Sequence, residues 1–275
     1  MGKLIFLDID GTLAMPGKPV GQNTLRAIAK ARENGHKVFL CTGRPACIVP
    51  REIAAVPTDG GIYVAGGRAV VDGKLVYDHP LRQDLLEEIE ETFQQLGVYY
   101  EYECDSHVYM SSIPIKEDET NPLEGGFAMA FGQNVDLGVM VPMAEHKEDE
   151  TIYKIPYVTS PASRQEEIQA ALTKEARNVV FGGLFDNSPY TVGEVNDIHN
   201  SKADAMLAIC EALGVRPEDC IAFGDSMNDM EIVKAAGIGV AMGNADEALK
   251  AAADRICESC EEEGVAWEFE RLGLS

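Results

Sequence analysis

The chain has 275 residues, 45% hydrophobic and 25% charged, which is enough to bury the core of one large domain or two smaller ones. Its formal net charge of −23 repels nucleic acid and anionic membrane, so we expect neither as a partner. No apolar run has membrane-spanning length, no secretory signal precedes the first strand, and seven scattered cysteines suit a reducing compartment. We therefore predict a cytoplasmic protein.

The first predicted element is a buried strand that runs into two aspartates. Residues 4–7 are all apolar, which is typical of a strand covered on both faces in a parallel sheet, and Asp8 and Asp10 follow directly. Because side chains alternate along a strand, both carboxylates point the same way, at the strand end where open α/β sheets bind ligands. They repel each other unless a cation or a shared proton intervenes. The stretch favours a Mg²⁺ site, although Asp10-Gly11 would also fit a simple turn.

A second buried strand, residues 38–41, ends in Thr42 and Gly43. The proline two residues further on predicts a helix that reaches about residue 56. A hydroxyl, backbone N–H groups and the start of a helix together favour an anion at this point, although a polar loop without a ligand fits equally well. A third strand at residues 62–65 and a hairpin around Asp72-Gly73 complete this part of the chain.

The regular alternation of strands and helices breaks off at Asp84. An amphipathic helix opens the new segment, and strands and helices then follow in mixed order. One of these strands contains Pro156, whose missing N–H predicts an edge position or a bulge. We therefore predict two domains, a core and an inserted α/β domain. Their bounds are 1–83 with 190–275 for the core, and 84–189 for the insertion.

The strand–helix pattern resumes after the insertion. Ser201 can cap a helix that begins with Lys202, where a lysine opposes the helix dipole. Lys202 either has a role in a functional site or is an ordinary solvated lysine that bears this small free-energy cost. A buried strand then ends at Asp225, which could bind a cation or only cap the next helix. If that helix is regular, Asp229 lies over the same face.

Taken together and in this order, the motifs resemble those of the haloacid dehalogenase (HAD) superfamily. They are Asp8-x-Asp10-Gly11-Thr12, Thr42-Gly43-Arg44, Lys202 and Gly224-Asp225-x-x-Asn228-Asp229. The later run Met242-Gly243-Asn244-Ala245 is similar to the Cof-type phosphatases of that superfamily. The resemblance covers the core segments and implies an α/β fold, with a Rossmann-like doubly wound parallel-sheet core and an inserted α/β cap domain.

The resemblance implies a Mg²⁺-dependent phosphoric monoester hydrolase that acts on small phosphorylated metabolites, chiefly sugar phosphates. Asp8 would be the nucleophile that forms an aspartyl phosphate, and Asp10 the general acid and base. Mg²⁺ would be held by Asp8, by the backbone carbonyl of Asp10 and by Asp225. Asp229 would support the metal indirectly, through water or another ligand.

The same resemblance implies which residues hold the transferring phosphoryl group. Thr42, the Gly43 N–H and Lys202 would contact its oxygens, and Asn228 would reach the phosphate or the substrate. Lys202 would supply the local cation that an acidic protein needs for an anionic substrate. The cap would close over the site and contact the leaving group.

The sequence departs from the Cof-type pattern after the third strand, where Ala65-Gly66-Gly67 replaces the usual Asn-Gly. In the inserted domain, four side chains either line the site or belong to the domain's own core and surface. They are Tyr99, Tyr102, Tyr109 and Lys116.

Several readings stay open at this stage. A phosphotransferase or sugar-phosphate mutase would use the same motifs and pass the phosphoryl group to a second hydroxyl instead of water. A non-catalytic phospho-acceptor module is a further alternative, which the inserted domain argues against. Cys257 and Cys260 form a C-x-x-C without a second ligand pair, so we do not predict zinc there. The sequence does not specify the substrate or the oligomeric state.

Overall fold

The structure, a computed structural model, describes residues 2–111, 137–159, 164–183 and 191–275. The chain divides into two compact units. The first unit consists of Met1–Arg44, Val49–Asp78 and Ser201–Ser275, and the second of Pro45–Ile48 and His79–Asn200. Lys116 lies outside the described residues.

The strands are numbered in chain order. They are β1 (Leu4–Leu7), β2 (Lys37–Cys41), β3 (Gly60–Tyr63), β4 (Arg68–Val71), β5 (Lys74–Asp78), β6 (Tyr99–Cys104), β7 (Val108–Met110), β8 (Met140–Pro142), β9 (Ile152–Thr159), β10 (Ala176–Gly183), β11 (Thr191–Asp197), β12 (Cys220–Gly224), β13 (Ile238–Ala241) and β14 (Arg255–Ile256).

The α-helices of the described chain are numbered in the same way. They are α1 (Gln22–Glu33), α2 (Arg51–Ala54), α3 (Gln83–Leu96), α4 (Arg164–Ala171), α5 (Lys202–Leu213), α6 (Met230–Ala235), α7 (Glu247–Ala252) and α8 (Gly264–Arg271). Short 3₁₀ turns add Ala46–Ile48, Val64–Gly66, Leu137–Val139, Met143–Glu145, Pro217–Asp219, Met227–Asp229 and Cys260–Glu262. None of the helices described here combines the length and the apolar character needed to cross a membrane.

The sheet of the first unit has the strand order β14-β13-β12-β1-β2-β3-β4-β5. Its strands from β14 to β3 are parallel, whereas β4 and β5 extend it as an antiparallel hairpin turned at Asp72-Gly73, as the sequence predicts. All four residues of β1 are buried, because helices and strands cover this central strand on both faces. The predicted parallel-sheet α/β core is confirmed.

The sheet of the second unit has the order β10-β11-β9-β6-β7-β8. Its helices α3 and α4 pack on one face through apolar side chains such as Ile89, Phe93 and Ile168, which meet Tyr100, Tyr157 and other residues of the strands. A mixed strand order with helices on one face agrees with the predicted α/β character of this segment.

Of the two alternatives predicted for Pro156, the edge position is wrong, whereas the pairing of β6 with β9 does shift register nearby, between Glu103 and Cys104. Strand β9 lies between β11 and β6, inside the sheet. β6 pairs with β9 at Tyr99 and Tyr100, and the pairing resumes at Glu103, opposite Lys154. The two strands therefore accommodate the proline by interrupting their pairing beside it.

Two predicted helices differ in detail. The helix expected from Pro45 to about residue 56 is a 3₁₀ turn followed by the short α2, because Pro50 removes a backbone donor midway. The helix expected after Asp225 starts as the 3₁₀ turn Met227–Asp229 and only then becomes α6.

Candidate active site

The carboxyl end of β1 leads into a tight turn that carries Asp8 and Asp10. The Asp8 N–H continues the sheet by donating to the Phe223 carbonyl of β12 at 3.2 Å. Gly11 has φ +86°, and a Cβ there would collide with the Asp225 carboxylate. A glycine is therefore needed both for the backbone angle and for the close approach of the two strand ends.

Three carboxylates converge at this edge of the first unit. Oxygen atoms of Asp8, Asp225 and Asp229 all lie within 4.8 Å of one another. Burial, with the neighbouring Asp229, raises the pKa of Asp8 well above its usual value and that of Asp225 to about 7. A divalent cation bound between such carboxylates stabilises them, because it offsets their mutual repulsion.

Asp229 differs from the other two because protein groups already hold both of its oxygens. Its Oδ2 accepts the backbone N–H groups of Asp225 and Ser226 at 3.1 and 3.2 Å, and its Oδ1 accepts Lys202 Nζ at 2.6 Å. Asp8 and Asp225 are therefore the side chains that fit a Mg²⁺ ion directly. Asp229 fits the indirect role that the resemblance implies.

Lys202 is the first residue of α5 and is 1% exposed. The Ser201 hydroxyl caps the helix by accepting the Asp204 N–H at 3.1 Å, as predicted. Lys202 Nζ donates to Asp8 Oδ1 at 2.7 Å and to Asp229 at 2.6 Å, and these two carboxylates raise its pKa well above the usual value. A buried, permanently charged ammonium is thus placed beside the carboxylate predicted to be the nucleophile.

The remaining predicted residues surround this cluster in the first unit. The Thr42 hydroxyl is buried at the end of β2 and accepts the Arg44 N–H at 3.1 Å, with Gly43 between them in the chain. Asn228 Oδ1 accepts the Ser226 hydroxyl at 2.7 Å and lies 3.5 Å from Lys202 Nζ.

Arg44 has a role that the sequence prediction missed. Its Nε and Nη2 donate to the two carboxylate oxygens of Asp10 at 2.7 and 2.8 Å. Two parallel charge-assisted bonds fix the orientation of a carboxylate better than one. The sequence does point to Arg44, because it is the last residue of the motif Thr42-Gly43-Arg44. The motif alone does not show that the partner of Arg44 is Asp10.

Asn244 is a second residue without a predicted role. Its Nδ2 donates to the Gly11 carbonyl at 2.9 Å, and its Oδ1 accepts the Cys260 N–H at 2.8 Å. It therefore ties the turn after Asp8 to the C-terminal part of the first unit.

The tyrosines proposed as site residues have partners within the second unit. Tyr102 donates to Glu90 and Tyr109 to Glu150, both rings are buried, and Tyr99 lies 3.5 Å from Glu101. These contacts favour a place in that unit's own core for Tyr102 and Tyr109.

Comparison with known proteins identifies the family. A model described as haloacid dehalogenase-like hydrolase matches residues 5–269. The chain is 28% identical to 5-amino-6-(5-phospho-D-ribitylamino)uracil phosphatase YitU of Bacillus subtilis (strain 168), over 96% of this chain and 94% of that protein. It is 25% identical to pyridoxal phosphate phosphatase YbhA of Escherichia coli (strain K12), over 92% of each.

Among solved structures, BT1666 of Bacteroides thetaiotaomicron, described among phosphatases of the HAD superfamily, aligns with a TM-score of 0.79 and 25% identity. The alignment covers 100% of this chain and 96% of that one. The chain therefore belongs to the haloacid dehalogenase-like hydrolase family, in its Cof-type branch, and the prediction of a phosphoric monoester hydrolase is confirmed.

Proposed function

We propose that this hydrolase releases phosphate from small phosphomonoesters, with sugar phosphates as the main class, through a covalent intermediate on Asp8. The observation that carries the proposal is the placement of Asp8 against Lys202 and beside Asp225 at the end of a buried strand. Relatives named for a phosphoribityl-amino-uracil and for pyridoxal phosphate support a small phosphorylated substrate.

In the first step, an Asp8 oxygen attacks phosphorus and the bond to the leaving oxygen breaks. Asp10 donates a proton to that oxygen, so the leaving group departs as a neutral alcohol. In the second step, Asp10 accepts a proton from a water molecule that attacks the aspartyl phosphate. Inorganic phosphate leaves, and Asp8 is regenerated as a carboxylate.

The surrounding residues position and stabilise the phosphoryl group. Lys202 is held beside Asp8 by two charge-assisted bonds, so its charge is in place before substrate binds. Thr42, Gly43 and Asn228 contribute hydrogen-bonding groups to the phosphoryl oxygens. Arg44 holds both oxygens of the Asp10 carboxylate, so one of these two bonds must open before Asp10 carries the proton that it donates to the leaving oxygen.

The cofactor in this proposal is Mg²⁺, bound by Asp8, Asp225 and the backbone carbonyl of Asp10. Bound there, Mg²⁺ supplies positive charge that offsets repulsion between the carboxylates and the phosphoryl oxygens. Asp229 fixes this arrangement through its bonds to Lys202 and to the backbone of Asp225. The inserted second unit would serve as the cap that contacts the leaving group.

The test is phosphate release from p-nitrophenyl phosphate by wild type, Asp8→Asn and a matched control. Asp84→Asn is the control, because that side chain is 75% exposed at the start of α3. We expect Asp8→Asn to lose at least about a thousandfold in kcat, chelator to abolish wild-type activity, and Asp84→Asn to keep it.

Two outcomes would redirect the proposal. An Asp8→Asn variant as active as wild type would rule out Asp8 as the nucleophile. A wild type that becomes phosphorylated on Asp8, releases no inorganic phosphate, and converts an added alcohol into a new phosphomonoester would be a phosphotransferase or mutase.

A further inference from the structure

The loop between β13 and α7, which we call the clamp loop, consists of residues 242–246 in the first unit. It is bonded to the strand end that carries Asp225. The Asp246 N–H donates to the Asp225 carbonyl at 2.9 Å, and the Met242 N–H donates to the Gly224 carbonyl at 3.0 Å. Both donors are backbone groups, so these two bonds form whatever side chains the clamp loop carries.

The clamp loop is also bonded to the turn after β1, through a side chain. Asn244 Nδ2 donates to the Gly11 carbonyl at 2.9 Å. Within the part of the chain that the structure describes, this is the one hydrogen bond between the clamp loop and residues 8–12, and the Gly11 carbonyl accepts no other. Gly11 is buried, so its carbonyl needs a partner. Asn244 is exposed, so its contribution comes from hydrogen bonds and not from core packing.

A second segment of the chain holds the clamp loop in place. The Gly243 N–H donates to the Glu258 carbonyl at 3.2 Å, and Asn244 Oδ1 accepts the Cys260 N–H at 2.8 Å. A Cβ on Gly243 would lie 2.7 Å from the Ser259 nitrogen, so the two backbones are already in contact. The clamp loop is therefore a fixed support from which the Asn244 amide reaches the turn.

The other contacts around the turn leave part of its backbone to be positioned. The Asp8 N–H donates to the Phe223 carbonyl of β12, so the sheet itself holds Asp8. The Thr12 hydroxyl lies 3.4 Å from Asp225 Oδ1, which is long for a hydrogen bond and constrains the turn only weakly. Asn244 therefore provides the short hydrogen bond that ties the backbone between Asp8 and Thr12 to the side of the site that carries Asp225.

We propose that Asn244 is a positioning residue for the metal site, which holds the Asp10 carbonyl at the distance from Asp225 that Mg²⁺ requires. This inference rests on the proposed function, in which that carbonyl and Asp225 both bind the ion. Mg²⁺ demands near-octahedral geometry with oxygen atoms at about 2.0–2.1 Å, whereas Ca²⁺ accepts irregular arrangements with oxygen atoms at about 2.3–2.6 Å. A displaced turn should therefore weaken the binding of Mg²⁺ much more than that of Ca²⁺.

The test is the affinity of the substrate-free full chain for Mg²⁺ and for Ca²⁺, measured by isothermal titration calorimetry. We expect Asn244→Ala to weaken Mg²⁺ binding about tenfold and Ca²⁺ binding only about twofold, so that the ratio of the two affinities falls about fivefold. An affinity ratio is independent of the folded fraction, so partial unfolding of the variant does not imitate this effect.

Asn34→Ala is the matched control. Asn34 Nδ2 donates to the Leu274 carbonyl at 2.9 Å, which is the same kind of bond at another place in the first unit. The ratio of the two affinities in this variant should equal that of wild type, because the bond that it loses does not involve the turn after β1.

A second variant separates the two hydrogen bonds of Asn244. Asn244→Asp keeps an acceptor for the Cys260 N–H and loses the donor to the Gly11 carbonyl. Its added negative charge attracts both divalent ions alike, so the ratio of the two affinities still reports the geometry of the site. We expect this ratio to fall about fivefold, as in Asn244→Ala.

The outcomes separate this inference from the proposed function. A wild type without measurable Mg²⁺ binding would overturn the metal site of the proposed function, and the role of Asn244 with it. A wild type that binds Mg²⁺, together with an unchanged ratio in Asn244→Ala, would overturn the positioning role alone. A ratio that falls in Asn244→Ala but not in Asn244→Asp would also contradict it, because the bond to Cys260 would then be the one that matters.

Discussion

Val64 and Ala65 adopt left-handed backbone angles, with φ of +47° and +56°, although neither is a glycine. The N–H of Val64 donates to the Arg44 carbonyl at 3.0 Å, and that of Ala65 to the Thr42 carbonyl at 3.2 Å. This turn therefore supports the backbone of the predicted phosphate-binding loop. A left-handed conformation costs an L-residue about 1–2 kcal/mol, which glycine avoids and asparagine tolerates. The usual Asn-Gly of the Cof-type pattern suits such a turn.

We predict that Ala65→Gly raises the free energy of unfolding by about 1 kcal/mol, because it relieves the left-handed strain at φ +56°. The control is the same substitution at Ala29, which is exposed within α1. Ala29→Gly should lower the free energy of unfolding by about 1 kcal/mol, because glycine has a poor helix propensity. Urea unfolding of both variants measures the pair. Destabilisation at both positions would contradict strain in this turn.

At the level of single residues, the sequence predicts which side chains lie close together better than it predicts their hydrogen-bond partners. Asp8, Lys202 and Asp225 stand in recognisable positions because motif spacing reflects local geometry at strand and helix ends. The bidentate bond between Arg44 and Asp10 joins residues 34 positions apart. Such a pairing depends on how β1 and β2 lie side by side, which no local pattern contains.

The helix α5 positions Lys202, and its N-terminus lies against Gly66 of the preceding turn. A Cβ on Gly66 would lie 2.6 Å from the backbone nitrogen of Lys202 and closer still to the Ser201 carbonyl group. Because backbone atoms of a helix start cannot move aside cheaply, this contact fixes the position of the lysine relative to β3.

We predict that Gly66→Ala destabilises the protein by at least about 2 kcal/mol more than Gly73→Ala. Both glycines have positive φ, but Gly73 has no atom within 4 Å of its added Cβ, so the control carries only the backbone strain. Gly66→Ala should also lower kcat for p-nitrophenyl phosphate, because Lys202 moves away from Asp8. Equal unfolding midpoints in urea for the two variants would refute the steric part of this argument.

The buried carboxyl of Glu101 gives the second sheet a pH-dependent stability. Burial and the nearby Glu103 hold the pKa of Glu101 in the folded protein well above its usual 4.5, and the opposing effects of Tyr99 and Lys154 are smaller. The folded state therefore binds more protons than the unfolded state from about pH 4.5 upward, and stability falls as pH rises through this range.

Glu101→Gln removes this titration, so we expect the stability of the variant to decline less steeply than that of wild type between about pH 5 and 8. At each pH, the difference between the urea midpoints of wild type and Glu101→Gln gives the contribution of Glu101 to stability, because the other titrating groups are common to both proteins. Glu88→Gln, on the exposed side of α3, should follow the wild-type curve. Parallel curves for Glu101→Gln and wild type would show that this carboxyl is ionised in the folded protein throughout the range.

At the level of elements, uninterrupted apolar runs predicted β1 and β2 well, because a strand covered on both faces has a sequence signature of its own. The position of β9 was not predictable in this way. Its proline predicts an edge position or a bulge, yet pairing with both β6 and β11 places the strand inside the sheet. Strand order is set by contacts between distant segments, and each strand's own sequence constrains it only weakly.

Across the whole molecule, the net charge of −23 and the buried carboxylate cluster affect the stability of the folded state in two separable ways. Repulsion among exposed carboxylates destabilises the folded state, and any salt screens this repulsion. The Debye length shortens from about 20 Å to below 10 Å as the ionic strength rises from about 0.02 M to about 0.2 M. The acidic cluster of Asp8, Asp225 and Asp229 is buried or half-buried, so screening affects it little, whereas a bound Mg²⁺ would stabilise it directly.

We therefore predict that KCl raises the melting temperature of wild type and of Asp225→Asn by similar amounts between about 0.02 M and 0.2 M. At matched ionic strength, MgCl₂ should raise the melting temperature further in wild type only, because Asp225→Asn removes one of the two carboxylates that fit the ion directly. Thermal unfolding in the two salts measures both effects. An additional MgCl₂ effect of equal size in the two proteins would place the stabilising cation outside this cluster, and the absence of any KCl effect would mean that the surface charges are too far apart to repel one another.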